Sequence, residues 1–423
     1  MSSLHDYIAS IRIIDGHEHL ATPKLRRQDK TGLFGLLHYL ESDLIAAGME
    51  RNALKRPGIG EEEKAAVFLK YWERTKNTTY ARMFRTAMED LYGMKDWSVN
   101  GLLELHGKVL EASADPEKLY RRVLVEKSGI DVAFTLIYTT DMGTPLLRPV
   151  MFMDFTYHLR KRSDIAAVER EAGIAVHTLR RYVDAVDAVF DRYVREGMVA
   201  TKLGHAYWRT LACGKPDEAE AERVFNRLMR DSLNEGVSQP EAQPLQDYLI
   251  HHVIRRSVEA GMPIQIHTGH HETSVSGNGN TITNSRVTDL LPLLHEYAEA
   301  KFVLLHAGYP YMDEYMSVAK NFPNVYADMT WLYIISPTVA KRALHQLFEM
   351  VPQTKLQAFG GDYNYVEGTY AHQKLARKLV GEVLAEKVAD GALDEAEAAE
   401  LAERIFRRNL IELYGLREET GCQ

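Results

Sequence analysis

Ile11-Arg12-Ile13-Ile14-Asp15-Gly16-His17-Glu18-His19-Leu20 ends a short apolar run on two histidines spaced i, i+2. In an extended strand such residues share a face, roughly 7 Å apart along the chain, so His17 and His19 can close on one metal ion. A His-x-His pair alone is a weak signal, because polar residues at strand ends are common. The pattern recurs, however. His267 follows Met262-Pro263-Ile264-Gln265-Ile266, His306 follows Lys301-Phe302-Val303-Leu304-Leu305, and Asp362 follows Leu356-Gln357-Ala358-Phe359-Gly360-Gly361. Strand ends that bring ligand-type side chains to one point are the geometry of an α/β-barrel active site.

Working outward, apolar runs predict strands at 12–15, 131–137, 150–155, 198–203, 263–267, 302–306, 324–329 and 356–359. Helical periodicity fills 177–196, 244–260, 287–300, 311–321, 336–351 and 368–414, with Gly415 as a helix stop. Eight alternating units predict an α/β chain folded as a (β/α)8, TIM-like barrel. Residues 23–126 are rich in Leu, Glu, Lys, Arg and Met at helical spacing and hold no convincing β-run. They read as a helical insertion after the first strand, packed near the barrel mouth, with 1–22 and 127–423 forming the barrel domain. Trp72, Tyr80, Arg82 and Arg85 of the insertion are candidates for substrate contact, although aromatic residues at helical spacing more often form core.

With 45% apolar and 26% charged residues, the 423-residue chain falls in the ordinary globular class. Its net charge of −8 argues against nucleic acid as a partner. It has no apolar run of membrane-spanning length, and Met1-Ser2-Ser3-Leu4-His5-Asp6-Tyr7 lacks the layout of a signal peptide, so a cytoplasmic protein with no membrane partner is expected. The two cysteines, Cys213 and Cys422, are too few for a disulfide framework or a thiolate zinc site. Ser276-Gly277-Asn278-Gly279-Asn280 is a glycine-rich loop without the lysine of a phosphate-binding loop.

His17, His19, His267 and Asp362, with His306 and Lys202 nearby, are the site candidates. Imidazoles and a carboxylate without thiolate suit zinc, with manganese or iron as the other options. One ion is expected, lowering the pKa of bound water from about 15.7 to about 7. Asp362 would then stand ready to take the proton.

On these residues the chain resembles the amidohydrolase superfamily of metal-dependent hydrolases. Within it, the chain is similar to the amidohydrolase-like domains fused to type I glutamine synthetases. The stretches that carry the likeness are Pro263-Ile264-Gln265-Ile266-His267-Thr268-Gly269, Phe302-Val303-Leu304-Leu305-His306-Ala307-Gly308-Tyr309-Pro310-Tyr311 and Asn324-Val325-Tyr326-Ala327-Asp328. The resemblance implies that His17, His19, His267 and Asp362 bind metal, that Asp362 doubles as general base, and that His306 polarises substrate or holds the attacking water. It leaves Lys202 open: a carboxylated bridge if two metals bind, otherwise a substrate-carboxylate contact or a snorkelling residue. Gly360-Gly361-Asp362-Tyr363 departs from the relatives' small residue, Thr or Ser, then Asp. The glycine pair would admit a bulky substrate or relieve strain in the turn.

Weaker substrate-binding candidates are His270, Tyr207, Arg148 and Arg286, the arginines as bidentate carboxylate holders. His271 shares the loop of His270. The leading expectation is hydrolysis of an amide or related C–N bond in a small, carboxylate-bearing molecule such as a γ-glutamyl or N-acyl amide. A nonoxidative decarboxylase or a uronate-isomerase-like enzyme on the same metal site is the alternative, and a non-catalytic scaffold barrel the third reading. A homo-oligomer is expected without a subunit number.

Overall fold

A computed structural model describes residues 4–271 and 280–417. The tail that carries Cys422, and residues 276–279 of the glycine-rich loop, lie outside them.

Eight parallel strands follow in sequence order: β1 (Ile13–Glu18), β2 (Ile130–Leu136), β3 (Leu147–Phe152), β4 (Ala200–Leu203), β5 (Pro263–His267), β6 (Lys301–Leu305), β7 (Val325–Asp328) and β8 (Leu356–Gln357). Backbone bonds from Gly16 N to Phe359 O (3.0 Å), Asp362 N to His17 O (2.9 Å) and His19 N to Tyr363 O (2.9 Å) join the stretch after β8 to β1 and close the barrel. Strands buried on both faces are mostly apolar, which is why they stand out as short Val, Ile and Leu runs. Three strands differ from expectation. β3 runs Leu147–Phe152 rather than 150–155. β1 continues through Glu18, so His17 lies inside the ladder. β8 pairs over only two residues, because the chain turns off at Gly360-Gly361 to deliver Asp362.

The helices follow their caps. Ser238 and Glu241 form a capping box that starts the helix Gln239–Glu259 five residues before the expected 244, with Pro240 and Pro244 in its first turns. Expected helix 287–300 breaks into a 3-10 turn, Val287–Leu290, and a short helix, Leu291–Glu296. Pro292, which has no N–H to donate, opens the second piece. The expected 368–414 helix divides into Val366–Ala389, Glu395–Glu403, a π-turn at Arg404–Arg408 and Asn409–Tyr414, and it stops at left-handed Gly415. No helix among the described residues is long and apolar enough to cross a membrane.

Between β1 and β2 the chain is helical, through Pro23–Gln28, Tyr39–Ala46, Glu61–Thr75, Thr79–Tyr92, Val99–Ala114 and Pro116–Tyr120, with short 3-10 turns between. This region has its own aromatic core, in which Trp72 stacks on Trp97 with ring centroids 4.6 Å apart, so Trp72 packs rather than faces the mouth. It is fastened to the barrel by Tyr120 Oη donating to Ala21 O (2.7 Å) and by a buried Arg26–Glu367 ion pair (2.8 Å). At the other end, Leu410, Leu413 and Tyr414 plug the barrel interior against Ile14, Phe134 and Val303.

Candidate active site

Four backbone positions at the C-terminal ends of β6, β7 and β8 take left-handed conformations without being glycine: His306 (φ 70°), Ala307 (φ 47°), Trp331 (φ 68°) and Asp362 (φ 58°). Such conformations cost of order 1–3 kcal/mol each and persist only where the surroundings impose them. Here the surroundings are crowded. A Cβ on Gly361 would fall 1.9 Å from Glu18 Oε1, and one on Gly360 would fall 2.0 Å from Thr330 Oγ1. The glycine pair is therefore required by contact with Glu18 and Thr330, not by room for a substrate. It carries the chain past β1 so that Asp362 faces the two histidines.

His17, His19 and Asp362 come together, with one ligand atom from each lying within 4.8 Å of the others. Asp362 Oδ1 is 3.4 Å from His17 Nε2 and 3.2 Å from His19 Nε2. The protonation of His17 follows from its neighbours. Gln265 donates its amide to Gly16 O (2.8 Å) and Tyr414 Oη (3.0 Å), which turns its carbonyl oxygen toward His17 Nδ1 at 2.7 Å. His17 must donate from Nδ1, which leaves Nε2 with a bare lone pair facing a carboxylate. Burial, followed by the charge of Lys202, holds this histidine well below its usual pKa, so no proton relieves the opposition. Nε2 is buried without a hydrogen-bond partner. Two lone-pair donors turned on one point fit a cation, and an imidazole oriented through its far nitrogen is the usual support of a metal ligand.

Replacing Gln265 by Leu is expected to free the His17 ring and weaken divalent-metal affinity roughly 10–100-fold with the barrel intact. Competition with a fluorescent zinc chelator measures it, and unchanged affinity would refute the orienting role.

His267, expected as a further ligand, stands outside this cluster. Its Nδ1 is 3.0 Å from His306 Nε2, and its Nε2 is 2.8 Å from His270 O. His306 Nδ1 in turn faces Thr330 O at 3.2 Å. Two neutral rings bring two N–H groups to three contacts, so one contact lacks a proton unless the pair takes up a positive charge. Burial opposes that charge and pushes His306 down to about 3.

The groups open onto a cavity of about 200 Å³ lined by His17, His19, Tyr39, Lys202, His306 and Asp362, among others. This is smaller than the about 300–1,000 Å³ pockets of drug-sized ligands. Tyr207 and His267 also line it, and Tyr207 packs on His271, ring centroids 4.8 Å apart. His270 offers its carbonyl to His267 and its ring to Trp331. Neither arginine candidate is there. Arg148 is the second residue of β3, at the opposite end of the barrel, and Arg286 pairs with Glu314 on the surface and lies over Tyr311.

Three contributors were missed from sequence. Tyr39, in the insertion, donates to Asp362 O at 2.6 Å, and Trp331 stacks on Tyr39. Gln265 carried a readable signal, a polar residue two before His267 on the same strand face. Beneath the site, burial pushes Asp15 up to about 7 and Glu18 well above the usual carboxylate range. Glu18 is held by Tyr363 N (2.6 Å) and Thr369 Oγ1 (2.6 Å).

Among known proteins, the chain is 27% identical over 239 residues to protein fluG of Emericella nidulans, covering 55% of this chain and 27% of that one. It thus spans about a quarter of fluG. It is 24% identical to the uronate isomerase of Brucella canis, covering 90% of this chain and 87% of that enzyme. Solved structures with the same fold include glucuronate isomerase from Caulobacter crescentus (TM-score 0.81, 18% identity, 99% of this chain and 95% of that one). Uronate isomerase from Thermotoga maritima superposes with a TM-score of 0.80 at 16% identity, over 97% and 96% of the two chains. These relatives correct the expectation of amide hydrolysis: the sequence relatives aligned along nine-tenths of the chain are uronate isomerases, which are isomerases and not hydrolases. Residues 145–416 match the amidohydrolase family model, and with the barrel and the His17, His19 and Asp362 cluster in place the chain belongs to the amidohydrolase family.

Proposed function

We propose that this chain is an aldose–ketose isomerase of a sugar acid of the uronate class, with a divalent metal, zinc first and manganese or iron next, held by His17, His19 and Asp362. The observation that carries the reading is the near full-length likeness to uronate isomerases, 90% of this chain and 87% of the Brucella enzyme. The cavity supports it: about 200 Å³ suits one small polar molecule, and Tyr39, Tyr207 and the histidines offer hydroxyl partners. Decarboxylation is less favoured, because an arginine that would hold the departing carboxylate is not among the described lining residues.

A bound divalent ion supplies Lewis acidity that makes a carbonyl and its neighbouring C–H more acidic. The chain's own residues do the rest. Gln265 orients His17 through Nδ1. His306 Nε2 and His267 Nδ1, 3.0 Å apart, offer a place for one proton in transit. Isomerisation takes a proton from C2 and one from the C2 hydroxyl and returns one to C1 and one to the C1 oxygen, so no redox partner is consumed. Tyr39 walls the cavity and is backed by Trp331 stacked on it.

The test is incubation of the metal-loaded chain with D-glucuronate and with D-galacturonate, following ketose formation by proton NMR in D2O. Ketose formation, abolished by chelation and restored by zinc or manganese, is expected. No interconversion by any metal-loaded form would overturn the reading.

A further inference from the structure

Lys202 is the least explained group in the cavity. It is the penultimate residue of β4 with only 3% of its surface exposed, yet it lines the cavity. Among the described residues its ammonium makes no hydrogen bond or ion pair. A buried ammonium left unpaired is costly, and such groups persist where something arrives to pair them. Its place in the barrel is also particular. β4 lies four strands from β8 either way round the ring, so Lys202 stands across the interior from the segment that delivers Asp362. Lys202 and the His17, His19 and Asp362 cluster line the same cavity, so one small molecule can meet both.

The chemistry of the group that meets Lys202 follows from charge. Lys202 is the only lysine or arginine among the described residues lining the cavity. Burial pushes it down to about 8, while the charges of Asp362, Asp154 and Asp328 work the other way, so it remains mostly an ammonium near neutral pH. Asp154 and Asp328 are themselves pushed up to about 7 by burial, which weakens their pull on it. Asp154 is further occupied by Tyr157 Oη and by Gly204 N (2.9 Å).

We infer that Lys202 is the anchor for the substrate's carboxylate, binding the anionic end of a sugar acid while the hydroxyl and carbonyl end meets the His17, His19 and Asp362 cluster. The sugar-acid identity rests on the function proposed above, whereas the anionic preference rests on Lys202 alone. The anchor makes the site selective for acids over neutral sugars of the same length. Lys202 is then a specificity-determining residue that moves no proton.

The test uses D-gluconate, a sugar acid that cannot isomerise, and sorbitol, its neutral counterpart. Each is titrated by calorimetry into the metal-loaded native chain and into Lys202→Met and Lys202→Arg. Gluconate affinity is expected to fall roughly ten- to a hundredfold in Lys202→Met, to be largely kept in Lys202→Arg, and sorbitol binding to stay equally weak in all three. Equal gluconate affinity in the native chain and Lys202→Met, or no gluconate binding by the native chain, would overturn the assignment. Should gluconate binding depend on Lys202 while no uronate is turned over, the isomerase reading falls and the carboxylate anchor stands.

Discussion

Asp362→Asn is expected to strip the site of metal and to abolish turnover while leaving the fold in place. The substitution keeps the side chain's shape and, because Asn tolerates the left-handed conformation better than most residues, it keeps the φ of 58° as well. It removes the negative charge on which His17 and His19 converge at 3.4 and 3.2 Å. Loss of a supporting partner costs a metal site about 10–100-fold in affinity, and loss of a ligand costs more. Metal per chain, measured by plasma mass spectrometry after dialysis, should fall from about one equivalent to near zero with an unchanged circular dichroism spectrum. A variant that retains native metal content would remove Asp362 from the ligand set.

Breaking the ion pair that fastens the insertion should have the largest effect on stability. Arg26, in the helix after β1, bonds Glu367 at 2.8 Å with both side chains almost fully buried, and it reaches Ser113 Oγ at 3.0 Å. Tyr92 Oη donates to the same Glu367 carboxylate at 2.6 Å. Four separate helices meet at this carboxylate–guanidinium pair. Removing one partner strands a buried charge, so Arg26→Met is expected to destabilise the chain by about 3–5 kcal/mol. Arg26→Met with Glu367→Met removes both charges and should recover much of that loss. The midpoints of urea unfolding for native, single and double variants test it. Additive losses in the double variant would mean that the pair is not the fastening.

What could be read from sequence follows the range of the interaction. Strand runs, the His-x-His pair and the strand-end residues are local patterns, and each of the eight strands overlaps an expected apolar run, with β1, β3 and β8 differing in their bounds. The departures come from contacts distant in sequence. Nothing near His267 announces that its nitrogens are taken by His306 and by its own loop. Nothing near Gly360-Gly361 announces that Glu18 and Thr330 leave no room for a Cβ. Tyr39 and Trp331 meet only because the insertion folds back over the mouth. Arg148 and Arg286 were chosen for their chemistry, and the barrel places one at its far end and the other on its surface. For Lys202 the sequence leaves a carboxylated bridge, a substrate-carboxylate contact and a snorkelling residue open, because its solitude depends on what the other strands fail to bring near it.

Tyr414 accepts a hydrogen bond from the amide of Gln265, which holds His17 in its tautomer. The first ligands are made at residues 17 and 19, the last at 362, and the support of their support at 414. A ribosome adding about 5–20 residues per second needs roughly 20–80 s between the first and last of these. Until residue 362 is made, which takes up most of that interval, the nascent chain holds the two histidines without Asp362 to complete them. A metal held by His17, His19 and Asp362 would thus be acquired late in biosynthesis, when the final helix docks rather than when the His-x-His pair emerges.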